Sequence, residues 1–437
     1  MRLTGMTPLA ELAPGQMPVD VQAFLQGLWV ETFEEAVALA AASEQLESPL
    51  PQAQHLRQAL APILLNIDEA ALAPWMRPPQ GIEAMLGQHV EPQQLDHVRE
   101  HGRLPVAQLS SSLSDEPLPP AVRLMDRLPP VRQQGERGTC VAFAVTALRE
   151  FMLGSGEHLS EQFLYWACKQ MDGMTEQPGT TIHVAMAALA QHGICEERLW
   201  PYDPHPRPGN EHHGPPPPQA VSDARKRVMP NARPVVPHHV EHYKRVLAGT
   251  KTHDGMPVAT GVLVFGSWLY SAATTRTGKI TLPLPGEKPL PMGHAMLVVG
   301  YQDDPSVPGG GYFIVRNSWG SEWAAMSPEA AGHALIPYDY MMRFALDAYA
   351  GEQQARESSN MPLARLHASA MGDADLSDCI VVLDDDMRDA DGRLWKRGKR
   401  IIMHPDRPEI MLEDTPANRQ RLRRLLRRNQ QGKKELS

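Results

Sequence analysis

An α+β fold class is predicted for the middle of the 437-residue chain, flanked by an N-terminal α-helical domain and a small C-terminal mixed domain. Three observations predict this. The apolar run from Cys140 to Leu153 has helical periodicity and stops at Gly154, a residue suited to the left-handed end of a helix. Apolar β-type runs recur at 257–265, 295–301 and 312–317, as strands of a largely buried sheet would. A polar stretch at 110–117 and a break near 352–372 set this middle part off from its neighbours. The domain boundaries follow as 1–105, 118–352 and 373–437.

Within 1–105, apolar residues recur three and four apart over 19–28 and 32–46, which predicts helices. Between 203 and 219 the sequence DPHPRPGNEHHGPPPPQ can be neither helix nor central strand, because proline lacks the donor both need. It reads as an exposed connection, with His205, His212 and His213 solvated. In the last domain, 379–383 and 399–403 are expected strands around a turn at Asp389-Ala390-Asp391-Gly392. Thr415-Pro416 then starts an arginine-rich helix over 417–428. Its leucines would dock it and its basic face would stay in water, or would meet an acidic or phosphate partner.

Composition narrows the function classes. With 42 Lys+Arg against 51 Asp+Glu, the net charge of −9 excludes the global basic field that nucleic-acid binding favours. There is no apolar run of signal-peptide or membrane-spanning length. The four cysteines, Cys140, Cys168, Cys195 and Cys379, form no CxxC pair, which argues against a disulfide framework or zinc knuckle. A soluble chain in a reducing, cytoplasmic setting is the expectation, with Cys168, Cys195 and Cys379 structural or incidental.

Cys140 is different because of where it stands. The stretch Gln134-Gly135-Glu136-Arg137-Gly138-Thr139-Cys140 ends a loop and places the cysteine in the first turn of the apolar helix. Free backbone N–H groups there favour a thiolate, which is the nucleophilic form. His294 opens the next-to-last β-type run and Asn317 closes the last one, so two antiparallel strands would bring them to one end of a sheet. An imidazole serving as base needs its second nitrogen held by an acceptor, and the Asn317 amide oxygen can be that acceptor.

These segments resemble the papain family of cysteine peptidases, and its bacterial branch in particular. Gln134 and Cys140 match the nucleophile motif, His294 to Tyr301 the histidine strand, and Asn317-Ser318-Trp319-Gly320 the asparagine motif. Leu159-Ser160-Glu161-Gln162 and Trp200-Pro201-Tyr202 follow the family's landmarks in order, and Gly179-Thr180-Thr181 with the Gly293-His294-Ala295 form resembles the bacterial branch. The resemblance covers about 120–345. It implies a helical lobe and an antiparallel β lobe with the active site between them, and a peptide or protein substrate. It also implies roles: Cys140 attacks, His294 is the acid and base, Asn317 orients it, and Gln134 donates to the oxyanion. Trp319 would shield the His294–Asn317 bond, and Gly179 would hydrogen-bond an extended peptide. No metal or cofactor is implied. Arg137 and Val141 stand where many secreted relatives have cysteine and tryptophan, so their disulfide cannot form here. The family's helical propeptide signature is not recognisable in 1–117.

Other readings stay open. His238, Glu241 and His242 fit the H-x-x-E-H pattern of a zinc peptidase. A noncatalytic papain-like binding scaffold, or a transpeptidase or deamidase using the same residues, would also accommodate the motifs. The helical residues 1–105 could recruit a protein partner, inhibit, or only pack.

Overall fold

Helix-forming and strand-forming segments separate along the chain, and in the computed structural model they build two facing halves. The structure describes residues 4–12, 17–65, 81–106 and 116–352, apart from 155, 230, 250–253 and 270, together with short stretches between 380 and 413. The chain divides into two compact units, Met1–Glu357 and Ser358–Ser437.

Among the described residues the helices of the first unit are α1 (Val19–Gly27), α2 (Phe33–Ala42), α3 (Pro51–Leu64), α4 (Pro92–His101), α5 (Cys140–Leu153), α6 (Glu161–Asp172) and α7 (Ile182–His192), then the shorter α8 (Pro218–Ala224), α9 (Val240–Ala248), α10 (Gly266–Leu269), α11 (Ala272–Thr277) and α12 (Tyr338–Phe344). Local signals account for several of their ends. Thr32 and Glu35 form a capping box at α2, Ser160 and Thr181 cap α6 and α7, and Gly154 ends α5 at φ 60°. Helix α5 is apolar nearly all round because it is buried nearly all round, unlike an amphipathic surface helix.

Seven strands form one antiparallel sheet: β1 (Ala121–Arg123), β2 (Ala232–Pro234), β3 (Val258–Val262), β4 (His294–Asp303), β5 (Gly311–Arg316), β6 (His333–Pro337) and β7 (Ala345–Gly351). Their order is β2-β7-β3-β4-β5-β6, with β1 also paired to β4. The α5 helix packs on β4 and β3, so its first turn, carrying Cys140, meets the start of β4, where His294 lies. The expected strands and the expected helix are thus all present, as an α+β fold with a helical half and a sheet half.

The N-terminal residues differ from the expectation of a separate domain over 1–105. Their helices form, but the first compact unit has no boundary there. Val21, Leu25, Phe33, Leu56 and Leu60 join the same continuous apolar core as α5 and the sheet. Lys279 donates to Glu31 at 2.6 Å and to Glu35 at 3.3 Å, Arg276 pairs with Glu34, and Trp29 stacks on Tyr312 at 5.8 Å. Three short helices, too small a set to bury their apolar faces alone, have found that partner in the central domain.

The 203–219 connection also departs from expectation. It is held down rather than loose, and His213 is buried. Buried Arg137 explains this: it donates to Gln162 Oε1 (2.9 Å), Asp203 O (2.8 Å) and Glu211 O (2.7 Å), between the rings of Tyr165 and Tyr202. A guanidinium with its donors spread over a loop does here what a covalent cross-link could not.

In the second unit, β8 (Ile380–Val382), β11 (Arg400–His404) and β12 (Arg407–Glu413) make an antiparallel sheet, and β9 (Met387–Arg388) pairs with β10 (Leu394–Trp395). The basic helix expected at 417–428 and Cys379 lie outside the described residues.

Candidate active site

Strand pairing positions the base and its support. The register Leu297↔Arg316 sets the end of β5 beside the start of β4, so Asn317, just past β5, reaches His294, the first residue of β4. His294 Nε2 and Asn317 Oδ1 are 2.7 Å apart. Because Oδ1 can only accept, and also accepts from the Ser318 N–H at 2.8 Å, Nε2 carries the proton. In the neutral ring Nδ1 is then the lone-pair nitrogen, and it has no hydrogen-bond partner. Trp319 lies over the imidazole with ring centroids 4.7 Å apart, the shielding place expected for it.

Cys140 meets this pair at the helix start. The N–H of Ala295, the residue after His294, donates to Cys140 Sγ at 3.4 Å. Both Cys140 and His294 are completely buried. Burial pushes the Cys140 thiol up to about 11, against amides of Ala295, Gly87 and the helix start that pull it down. Burial likewise lowers His294 to about 4, although its bond to Asn317 works the other way. The pair is held as thiol and neutral imidazole.

What buries them is the segment 85–89. Gln88 exchanges backbone hydrogen bonds with Gly293 on the sheet half (3.1 and 2.8 Å), while Thr180 N–H donates to Gly87 O and His89 N–H to Thr180 O on the helical half (both 2.9 Å). The segment therefore bridges the cleft as an added strand would. Gly87 is required for the fit, since a side-chain carbon there would stand 2.0 Å from the Gly138 carbonyl oxygen. Gln134 takes part too. Its Nε2 donates to Arg137 O (2.6 Å) and to Met85 O (2.9 Å), and Ser318 Oγ donates to its Oε1 at 2.6 Å. One amide hydrogen is thus structural, while the other is aimed into the cleft and engaged by the carbonyl of Met85.

Cys140, His294, Asn317, Gln134 and Trp319 converge as the sequence suggested. Gly179 does not present its polar groups to the cleft: Tyr165 Oη accepts from its N–H (2.9 Å), and Lys169 Nζ donates to its carbonyl (2.8 Å). Thr180, rather than Gly179, makes the backbone hydrogen bonds to the segment 85–89. Ser318, which fixes Gln134, stood inside a quoted motif without a role, and a hydroxyl beside the asparagine was the signal to read. The zinc pattern does not assemble. His238 Nδ1 is bonded to Met342 O and His242 Nδ1 to the Val236 N–H. Among the described residues, the one trio that could hold a metal is His158, Glu161 and Glu197, where Arg132 already pairs with Glu161. Burial raises Cys195 to about 12 and Cys168 higher still, so neither resembles an activated thiol.

Residues 121–327 match the model of the papain family of cysteine proteases. An uncharacterized peptidase C1-like protein of Acanthamoeba polyphaga mimivirus is 28% identical over 221 residues, 48% of this chain and 64% of that protein. Peptidase 1 of Dermatophagoides farinae is 29% identical over 210 residues, 46% of this chain and 56% of that protein. The chain thus spans under two thirds of the length of these relatives. Among solved structures, xylellain, a cysteine protease from Xylella fastidiosa, superposes with a TM-score of 0.48 at 25% identity, over 62% of this chain and 97% of that one. Residues 121–327, just under half of the chain, are thus similar in sequence to the papain family of cysteine proteases.

Proposed function

We propose that this protein is a thiol peptidase that hydrolyses peptide bonds through an acyl-thioester on Cys140, and that the segment 85–89 holds it latent. The observation that supports it most is the His294 Nε2–Asn317 Oδ1 bond of 2.7 Å, which leaves Nδ1 an unprotonated, unpartnered base in the residue next to Ala295, whose N–H reaches the Cys140 thiol.

In this reading His294 Nδ1 takes the Cys140 proton and Sγ attacks the scissile carbonyl carbon, forming a C–S bond as the carbonyl becomes an oxyanion. The Gln134 amide hydrogen that now meets Met85 O, together with the Cys140 N–H, receives that charge; one such donor is worth about 2.7–4 kcal/mol in a transition state. Collapse breaks the C–N bond, and His294 returns the proton to the leaving amine. Water, deprotonated by His294, then attacks the thioester, releasing the carboxylic acid and restoring the thiol.

Latency follows from what 85–89 occupies. Its Met85 carbonyl takes the oxyanion donor, its Gly87 backbone hydrogen-bonds the thiol, and its burial of the pair keeps both groups neutral. A segment that sets an amide, rather than a carbonyl carbon, against the sulfur blocks the site without being positioned for cleavage. The intact set of Cys140, His294, Asn317 and Gln134 favours catalysis over a binding scaffold, since each member is held by a partner suited to its chemical role.

The test is mass spectrometry of a peptide library incubated under reducing conditions with the Gly87→Ala chain, and with the same chain also carrying Cys140→Ala. Cleavage that disappears with Cys140→Ala and is indifferent to a chelator supports the reading. Hydrolysis that survives Cys140→Ala overturns it, and acyl transfer without hydrolysis would assign a transpeptidase.

A further inference from the structure

A second group of ionisable side chains meets outside the cleft, where the loop before α6 crosses the 3-10 turn Glu197–Leu199. Backbone bonds fix the crossing. Leu159 and Glu196 pair as an antiparallel bridge, Glu197 N–H donates to His158 O at 2.8 Å, and Ser160 N–H donates to Cys195 O at 2.9 Å. Glu161 in the first turn of α6, His158 three residues before it, and Glu197 across the crossing thus bring side chains to one point. One ligand atom from each lies within 4.8 Å of the other two. Glu161 is buried, while His158 is exposed and leaves a way in from solvent.

The charges at this point do not balance. Glu150, on α5, stands behind the trio. Its Oε1 accepts at 2.8 Å from the N–H of Leu159, the residue after His158, and its charge bears on both Glu161 and Glu197. The Glu150 side chain is 2% exposed, and its Oε2 has no hydrogen-bond partner. Glu197 repeats the pattern, with Oε1 on the Tyr202 N–H at 2.7 Å and Oε2 shut from solvent without a partner. Arg132 touches this group, but it meets a single oxygen on Glu150 and a single oxygen on Glu161. Arg316, whose charge also reaches these two carboxylates, directs its donors to the carbonyls of Pro129 and Pro130, both at 2.6 Å. Buried carboxylate oxygens without a donor are costly, and buried charges are stabilised by pairing or by coordinating a metal.

We propose that His158, Glu161 and Glu197 bind a zinc ion, with Glu150 behind them as the carboxylate that balances its charge. An imidazole together with carboxylates suits zinc, which holds tetrahedral sets of ligands at about 2.0–2.2 Å and completes its shell with water. Ligands so held stand about 3.5 Å apart, and rotation of the exposed His158 side chain supplies the closure. Calcium and magnesium call for about six or more oxygens, which this crossing does not offer. The ion staples the loop before α6 to the 3-10 turn and takes no part in the Cys140 chemistry. The inference therefore stands apart from the peptidase reading, and a chelator should lower thermal stability without stopping hydrolysis below the melting temperature.

The test is a zinc titration of the metal-stripped full chain carrying Cys140→Ala, which removes the cleft thiol as a competing ligand, followed by calorimetry and by thermal melting. A tight site for one zinc ion per chain is expected, and the melting temperature should rise with zinc concentration, as binding to the folded state requires. His158→Ala, at an exposed position, and Glu197→Gln, which keeps an acceptor for the Tyr202 N–H, should each weaken that site about tenfold or more and remove the thermal shift. Glu157→Gln removes the same charge beside His158 but outside the trio, and should change neither. Calcium at equal concentration should shift nothing. The proposal is overturned if zinc gives no thermal shift, or if its affinity is unchanged in both His158→Ala and Glu197→Gln. Equal weakening by Glu157→Gln, or a calcium shift as large as that of zinc, would assign a diffuse field of carboxylates and overturn it as well. If Glu197→Gln fails to fold, His158→Ala still decides, because its side chain lies at the surface.

Discussion

The carbonyl oxygen of Met85 lies 2.9 Å from Gln134 Nε2, on the amide hydrogen that a developing oxyanion would need. The second Gln134 hydrogen is fixed on Arg137 O, and its oxygen on Ser318 Oγ, so the donor cannot swing away from the covering segment. Release of the site therefore requires Met85 to leave rather than Gln134 to move.

Gly87→Ala should bring that about. The added carbon would meet Gly138 O at 2.0 Å and Gly138 C at 2.3 Å, backbone atoms at the start of α5 with little freedom to yield. Overpacking of this kind costs about 1–3 kcal/mol, so the segment should lift and alkylation of Cys140 should rise about five- to a hundredfold. Unchanged alkylation with an unchanged melting temperature would mean that 85–89 does not cover the thiol in solution.

Ser318→Ala separates positioning from chemistry. Without the hydroxyl donor at 2.6 Å, the Gln134 amide loses its fixed orientation but remains present. In an uncovered chain kcat should fall about tenfold with KM little changed, less than the loss from Gln134→Ala, because the interaction concerns the transition state rather than substrate binding. A change in KM alone would place Ser318 in substrate binding instead.

Asn317→Ala and His294→Ala should differ in size. Asn317 holds the tautomer and angle of His294, so its loss should reduce turnover and leave measurable hydrolysis. His294→Ala removes the proton donor for the leaving amine and should cost far more. Steady-state kinetics of both variants in the Gly87→Ala chain check this, and equal losses would assign Asn317 a chemical role of its own.

The residues proposed as catalytic were legible because each carries its chemistry locally: a cysteine at a helix start, a histidine and an asparagine at matching ends of neighbouring strands. The covering segment was not. MLGQHV has no periodicity, and its fit depends on Gly87 meeting Gly138, a contact between residues far apart in the chain. Gly179 does not pair with the covering segment, and Thr180 does, because Tyr165 and Lys169 already engage the Gly179 amide and carbonyl. The domain boundary at 105 failed for a related reason. Amphipathic helices indicate that an apolar face will be covered, and say nothing of which surface covers it.

Arg137→Met should destabilise the first unit. It would leave the carbonyls of Asp203 and Glu211 and the Gln162 amide oxygen without their donor in a buried place. With each orphaned group costing about 1–3 kcal/mol, a total of roughly 3 kcal/mol or more is expected, read as a lower melting temperature and early proteolysis within 203–213. A variant as stable as the native chain would show that the loop is held by other contacts.

The pH dependence of the cover follows from the direction of both shifts. In the covered state His294 is lowered to about 4, whereas an exposed histidine titrates near 6.5. Between those values the uncovered form binds the extra proton, so acidification through this window favours opening; above about 6.5 the His294 contribution to the cover is fully present. Cys140 acts at the other end. Its covered thiol is raised to about 11, so the uncovered form loses its proton first as pH rises past the ordinary thiol range, and opening is favoured again. Asp347, lifted to about 6 by burial, loses charge as pH falls through that value and weakens whatever the Gln88 amide gains from it. Closure should therefore be firmest between about pH 7 and 8.5. The measurement is Cys140 alkylation in the full chain from pH 4 to 9.5, each rate divided by that of Gly87→Ala at the same pH to cancel the intrinsic thiolate dependence. The quotient should pass through a minimum near neutrality and rise on both sides. A quotient flat across the range would mean that neither His294 nor Cys140 changes its surroundings when the segment lifts, and the account of latency by burial would fail.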